Sequence, residues 1–246
     1  MLLALLTDIH ANREALDACL AHAAGRKPDR YIFLGDLVGY GADPGYVADV
    51  VKDFVAQGAI ALKGNHDEAA VGSAAGMNET AHAAIVWTRA QLDEQQRRFL
   101  AGLPLSHEEG DRLFVHASAF APDRWGYVTD EFEAAKSFGA TRCRCTFCGH
   151  LHVPAVYHVA LTGRCGAFTP VPEAAIPLLP QRRWLAVLGA VGQPRDRNPD
   201  ACYALLDTRN AHLTYYRVPY DVEGAARKVR EAGLPISLSA RLLAGR

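Results

Sequence analysis

The fold is constrained most by five polar clusters, each at the end of a short apolar run: Asp8-Ile9-His10, Gly35-Asp36, Gly64-Asn65-His66-Asp67, Val115-His116 and Gly149-His150-Leu151-His152. The runs before them, such as Leu2 to Leu6, Tyr31 to Leu34, Ala59 to Leu62 and Leu113 to Val115, are too short for helices and are bounded by turn residues, so they read as buried strands. A chain patterned this way carries its metal-binding side chains where strands leave a sheet, on loops that a rigid scaffold holds in place.

Helical segments alternate with the first strands. Asn12 can cap a helix over Arg13 to Ala24 with Ala15, Leu16, Cys19 and Leu20 on its inner face, ended by Gly25 and Pro28. A second helix is expected near Tyr46 to Gln57. The strand-helix-strand-helix-strand order predicts parallel pairing with right-handed crossovers. From Glu79 to Leu100 the pattern is helical, with Ala83, Val86, Trp87 and Ala90 on one face and a second short helix carrying Phe99 and Leu100.

Past Leu103-Pro104 the chain turns strand-rich, with strands at Leu105 to His107, Arg112 to Val115, Cys145 to Cys148, Ala155 to Val159, Arg183 to Leu188, Cys202 to Leu206 and Leu213 to Arg217. A helix over Asp130 to Phe138 interrupts them. The last helix expected starts at Asp221 and stops at Gly233-Leu234-Pro235, with Arg227, Lys228 and Arg230 as a solvated face. Two sheets packed face to face with helices outside bury both sets of strands. The expected fold is therefore α/β, a four-layer α-β-β-α sandwich of two mixed sheets, with residues 1–246 as a single domain.

Composition narrows the partners. Half of the 246 residues are hydrophobic and 22% are charged, as in a globular protein. A net charge of -1 provides no basic field to track a phosphate backbone, so extended nucleic acid is not an expected partner, whereas a small phosphorylated substrate held through bound cations is. The apolar start is cut short by Asp8 and His10 and has no basic region before it, so a cytoplasmic protein without a membrane partner is expected. The cysteines are expected as free thiols, and the Cys143-x-Cys145-x-x-Cys148 run lacks the second ligand pair of a separate metal site.

Asp8 and His10 are two apart, so in an extended segment both side chains project to the same side, and His150 and His152 repeat the arrangement. Asp36, between glycine-permitted turns, is the natural bridge, offering one carboxylate oxygen to each of two cations. Mixed oxygen and imidazole ligands suit manganese, iron, zinc or nickel better than calcium, and we take two divalent ions, manganese first, as the expected cofactors.

In this order, D-x-H, G-D, G-N-H-D, H and G-H-x-H resembles the calcineurin-like metallophosphoesterase superfamily, over roughly residues 2 to 170. The resemblance implies that Asp8, His10, Asp36 and His152 bind one ion and that Asp36, Asn65, His116 and His150 bind the other. It also implies that His66 contacts phosphate and is oriented by Asp67. Two cations about 4 Å apart can share a hydroxide and hold phosphoryl oxygens for in-line attack. An imidazole such as His66 can donate a proton or a hydrogen bond to the leaving oxygen.

The turn Gly35-Asp36-Leu37-Val38-Gly39-Tyr40-Gly41 sorts the branches. Ser/Thr protein phosphatases of this superfamily have an Asp-Arg pair where this chain has Gly39-Tyr40. The G-Y-G turn with Asp43-Pro44, the segment Gly189 to Asp196 and the strand Tyr203 to Asp207 are instead similar to a bacterial and archaeal group that includes diadenosine tetraphosphate hydrolases. That group often has a serine where this chain has Ala190.

The resemblance implies a phosphoesterase acting on a phosphodiester or phosphoanhydride of a small nucleotide, diadenosine tetraphosphate first. Ser/Thr protein phosphatase, general phosphomonoesterase and a catalytically silent scaffold are the alternatives. Tyr40, Tyr127, Arg195 and Arg197 are candidate substrate contacts, the arginines for distal phosphates and Tyr127, with Trp125, for a nucleobase. Gly189 and Gly192 are expected to let backbone amides approach a phosphate.

Overall fold

Leu3 and Leu5 point to one side of the first strand and Ala4 and Leu6 to the other, and both sides are apolar, so this strand needs a packed layer on each face. The computed structural model, which describes residues 1–160 and 162–246, places it in that position. One mixed sheet runs, in spatial order, β3 (Ile60–Ala61), β2 (Arg30–Phe33), β1 (Leu2–Leu6), β11 (Ala201–Asp207), β12 (His212–Val218) and β9 (Ile176–Pro177). The other runs β4 (Ser106–Glu109), β5 (Arg112–Val115), β6 (Cys145–Cys148), β10 (Arg182–Val187), β7 (Ala155–Ala160) and β8 (Cys165–Phe168). The parallel pairs expected from the strand-helix rhythm are present as β1 with β2 and β2 with β3.

Leu3, Leu5, Ile32, Leu34, Phe114, Phe147 and Tyr215 meet between the two sheets. Each fully buried side chain of this size contributes about 1.5–3 kcal/mol. On the outer face of the first sheet, Ala4, Leu6 and Phe33 pack under α1 (Arg13–Ala24), α2 (Pro44–Ala56), α3 (Asn65–Val71), α4 (Glu79–Gln91) and α5 (Glu94–Gly102). On the outer face of the second, Val115, Leu185 and Val187 pack against Ala134 and Phe138 of α6 (Glu131–Gly139). A helical hairpin, α7 (Val222–Glu231) and α8 (Ile236–Ala244), packs against Tyr40 and α4. The expected α-β-β-α sandwich is the observed fold.

Caps behave as read. Asn12 Oδ1 accepts the Ala15 amide at 3.1 Å, Asp130 accepts the Phe132 and Glu133 amides, and Asp221 accepts that of Gly224. Several expectations need correction. The inner face of α4 carries Ala81, Ala84, Ile85 and Thr88, while Val86 is 52% exposed, because a shift of two residues turns a helical stripe by about 200°, to nearly the opposite side from the one its larger residues suggest. The Gly64-Asn65-His66-Asp67 run is the start of helix α3 and not a loop. α8 follows Pro235, with Leu238 and Leu242 one turn apart on its buried face. Lys228 is not part of a solvated face: its Nζ lies 2.6 Å from Glu14 and 2.9 Å from Asp43. Strands β8 and β9 are short edges with no apolar alternation to announce them. All six cysteines are free, and Cys143, Cys145 and Cys148 are buried. Among the described residues no helix is long and apolar enough to cross a membrane.

Candidate metal centre

The ends of β1, β2, β5 and β6 lie side by side, and the loops leaving them bring the predicted ligands together. Asp8, His10, Asp36 and His152 form one buried group, and Asp36, His116 and His150 form a second, each with its ligand atoms within 4.8 Å of one another. Asn65 joins the second group, its Oδ1 3.3 Å from His116 Nε2.

The backbone reaches this arrangement in a way the spacing did not suggest. Asp8, His10, Asp36, His150 and His152 all have φ between 50° and 67°, in the left-handed region. Asp8 and His10 therefore do not share a side by being two apart in an extended segment. The chain coils sharply and turns each side chain back into the site, at a cost of about 1–3 kcal/mol per residue that the surrounding packing offsets. Two motif glycines explain themselves sterically: a Cβ on Gly64 would overlap the Asp36 backbone and carboxylate, and one on Gly149 would overlap Thr7 Oγ1 and Asp8 Oδ2.

Hydrogen bonds fix which atom of each ligand faces inward. Asp8 Oδ2 accepts from Thr7 Oγ1 at 2.8 Å and from the His150 amide at 2.9 Å, which leaves Oδ1 buried without a hydrogen-bond partner. Asp36 Oδ1 accepts the His66 amide at 2.8 Å, so only Oδ2 is free, 3.5 Å from His10 Nε2 and 3.4 Å from His116 Nε2. Asp36 Oδ2 would then be the oxygen most open to two ions, where the sequence suggests one oxygen for each.

The Nδ1 atoms of His10, His116 and His152 face the carbonyls of Val38, Leu34 and Gln193, at 3.3, 2.8 and 2.7 Å. A carbonyl can only accept, so each Nδ1 carries the proton and each Nε2 turns a lone pair inward. His150 turns its Nδ1 inward, 3.2 Å from His116 Nε2.

Bare lone pairs facing one another are what a bound cation resolves. His10 Nε2 and His152 Nε2 are 3.1 Å apart, and His152 Nε2 is 3.1 Å from the orphaned Asp8 Oδ1. Two donors each about 2.1 Å from a common ion, at ordinary coordination angles, lie about 3.0–3.4 Å apart. The residues fit a pair of divalent ions, one in each group, with Asp36 common to both.

Protonation in the metal-free protein tells the same story. Burial works to lower the His116 pKa, but the Asp36 carboxylate and then Asp8 override it and push it up to about 9. Burial, then His116, drives His150 down to about 3, and burial drives His66 down to about 4. Burial raises the Asp8 and Asp36 carboxyls, yet the imidazoles beside them more than compensate and hold both below the usual range.

A stability profile follows. His66 and His150 titrate near 6.5 when unfolded and far lower when folded, so their contribution is complete above pH 6.5 and is lost as pH falls towards 4. His116 has the opposite sign, contributing fully below 6.5 and losing its contribution as pH rises through 9. With chelator present, the melting temperature should drop from pH 7 to pH 4, the raised Asp67 carboxyl offsetting part of the loss, and ease down again from pH 7 to pH 9. A flat profile over that range contradicts these environments.

The outer residues are placed unevenly. His66 lies outside both ligand groups, packed between the rings of Tyr40 and His10, at 4.3 and 4.8 Å, with its Nδ1 against Gly39. Asp67 does not orient it. The Asp67 oxygens accept the amides of Leu37, Val38 and Gly64, because neighbours on a helix point about 100° apart and Asp67 faces the β2 turn instead. Burial and then Asp36 push the Asp67 carboxyl up to about 7 against those amides.

A cleft of about 430 Å³ opens at the centre, with Tyr40, Tyr127, Trp125, Arg195, Met77 and Asn78 among its lining residues. Tyr127 is 48% exposed and stacks on His150 with 4.0 Å between centroids. Arg197 is not brought into this cleft; its side chain is exposed and its amide bonds the Gly245 carbonyl. The Gly192 amide donates to the Asp8 carbonyl at 2.8 Å and is not available to a phosphate, and Gly189 packs against Cys202. Thr7 and Gln193, which lock Asp8 and His152, had no signal in the sequence beyond their neighbours.

A family model described as the calcineurin-like phosphoesterase superfamily domain matches residues 1–211. An uncharacterized protein of Methanocaldococcus jannaschii is 32% identical over 252 residues, spanning 100% of this chain and 98% of that one. The crystal structure of a metallophosphoesterase from Sphaerobacter thermophilus superposes with a TM-score of 0.88 at 34% identity, covering 100% of both chains. A hypothetical protein from Pyrococcus horikoshii OT3 shares the fold, with a TM-score of 0.81 at 19% identity, over 100% of this chain and 98% of that one.

Proposed function

The chain belongs to the calcineurin-like phosphoesterase superfamily and is a metal-dependent phosphoester hydrolase; from that premise we propose that it cleaves a phosphodiester or phosphoanhydride of a small nucleotide, a diadenosine polyphosphate first. The observation that carries this reading is the lining of the cleft, which brings Asp36, Asn65, His150 and His152 of the two ligand groups together with Arg195 and the rings of Tyr40, Trp125 and Tyr127. When bound, a pair of cations activates water and neutralises the phosphoryl oxygens.

The chain's own residues do the rest in this proposal. Asp8, His10, Asp36 and His152 hold one ion, preferably manganese, and Asp36, Asn65, His116 and His150 hold the other. His66, beside the ligands without being one, directs an N–H at the leaving oxygen. Arg195 grips a second phosphate, Tyr40 backs it, and the free face of Tyr127 stacks a nucleobase. The cleft holds a small molecule, and the whole chain works as one domain.

The test is product analysis with purified, manganese-loaded protein on dinucleoside polyphosphates beside a bis-aryl phosphodiester. Turnover of the nucleotides with a lower KM than the aryl ester is the expected result. Good turnover of the aryl ester with none of any nucleotide would sink the substrate reading. The silent-scaffold alternative predicts neither.

A further inference from the structure

The family model ends at residue 211, and the chain beyond it builds the α7–α8 hairpin directly behind the cleft. Ala225, Ala226 and Val229 of α7 and Leu238 and Leu242 of α8 close around Tyr40, which is only 7% exposed. Tyr40 needs such backing, because it holds a left-handed backbone at φ 65° while its ring packs on both His10 and His66. Lys228 ties α7 to Asp43, three residues past Tyr40, and to Glu14 on α1.

The far end of the hairpin holds the second loop. The Gly245 carbonyl accepts the Arg197 amide at 2.7 Å, and the chain at Gly245 lies flush against Asn198 and Pro199. Arg195, two residues earlier, is pinned on its other side by its amide to the His152 carbonyl at 3.1 Å. Its guanidinium sits 5.8 Å from the Tyr40 ring centroid, and its buried Nε has no hydrogen-bond partner. Asn12 adds a third tie, donating to the Gly192 carbonyl at 2.8 Å and to Tyr220 Oη at 3.2 Å.

We propose that the α7–α8 hairpin is a positioning element for an anionic subsite: it sets Tyr40 against Arg195, so that the guanidinium meets a second phosphate beyond the one at the metal centre. Leu242 and Lys228 are positioning residues that act through this pair. The inference rests on the phosphoesterase reading of the centre but not on the nucleotide as substrate.

The test uses the full, manganese-loaded chain and two probes, orthophosphate and the non-hydrolysable methylenebisphosphonate. Leu242→Ala and Lys228→Met should each weaken bisphosphonate binding by about tenfold, the loss of one charge-assisted contact, while leaving orthophosphate within about twofold. In an Arg195→Gln background the same substitutions should change bisphosphonate binding by less than about twofold, since the contact they position is already gone. Two variants from different parts of the hairpin guard against one failing to fold. Equal weakening of both probes, an undiminished effect without Arg195, or unchanged bisphosphonate binding in both variants would each overturn the proposal. Loss of nucleotide turnover in the wild type, with the binding pattern intact, would remove the substrate reading alone.

Discussion

In the Asp36→Asn protein both cations should be lost and turnover should fall by about a thousandfold or more, a barrier increase of about 4 kcal/mol. Asp36 Oδ1 is committed to the His66 amide at 2.8 Å, and an asparagine must keep an acceptor there or leave a buried N–H unpaired. Its carbonyl oxygen therefore takes that place and its NH2 takes the place of Oδ2, the atom that lies between His10 and His116. A donor with no charge then points at both ligand groups. Elemental analysis beside a turnover assay checks this, and two retained ions with turnover within about tenfold of wild type would refute the shared role.

His66→Ala should separate binding from rate. The side chain belongs to neither ligand group, so both ions should remain. Turnover should drop by about a hundredfold to a thousandfold, the range for losing one hydrogen-bond donor aimed at a developing charge. Burial, which holds its pKa near 4 in the metal-free protein, keeps the imidazole neutral at pH 7, so its contribution is a directed N–H hydrogen bond and not delivery from an imidazolium. The loss should be larger for alkyl esters, whose leaving oxygen accumulates more charge, than for nitrophenyl esters. Full activity, or an equal loss on both ester types, would remove His66 from that role.

The strands and ligands were legible because their physics is local. Leu3, Leu5, Ala4 and Leu6 are apolar on both faces of one strand, which demands two packed layers wherever the strand ends up. Asp8, His10, Asp36, His116, His150 and His152 each follow such a strand, so the ends of adjacent strands bring them together. What stayed hidden depends on torsion angles and direction. Nothing in the residue types announces φ near 50° at Asp8 or His10, since the surrounding fold imposes it.

Asp67 stands next to His66 in sequence, yet a helix turns it towards the Leu37 and Val38 amides, and helix α3 itself begins on glycine without an apolar stripe to reveal it. Arg195 and Arg197 look equivalent in the sequence and are separated only by where the loop runs. The sequence does not announce α8, because Pro235 reads as a stop, whereas it also serves as the entry to a new helix.

The paired centre is tested most directly by anomalous scattering from manganese-soaked crystals. Two peaks about 3.5–4 Å apart are expected, one near His10 and His152 and the other near His116 and His150, with Asp36 common to both. A single peak, or ions bound away from Asp36, would contradict it.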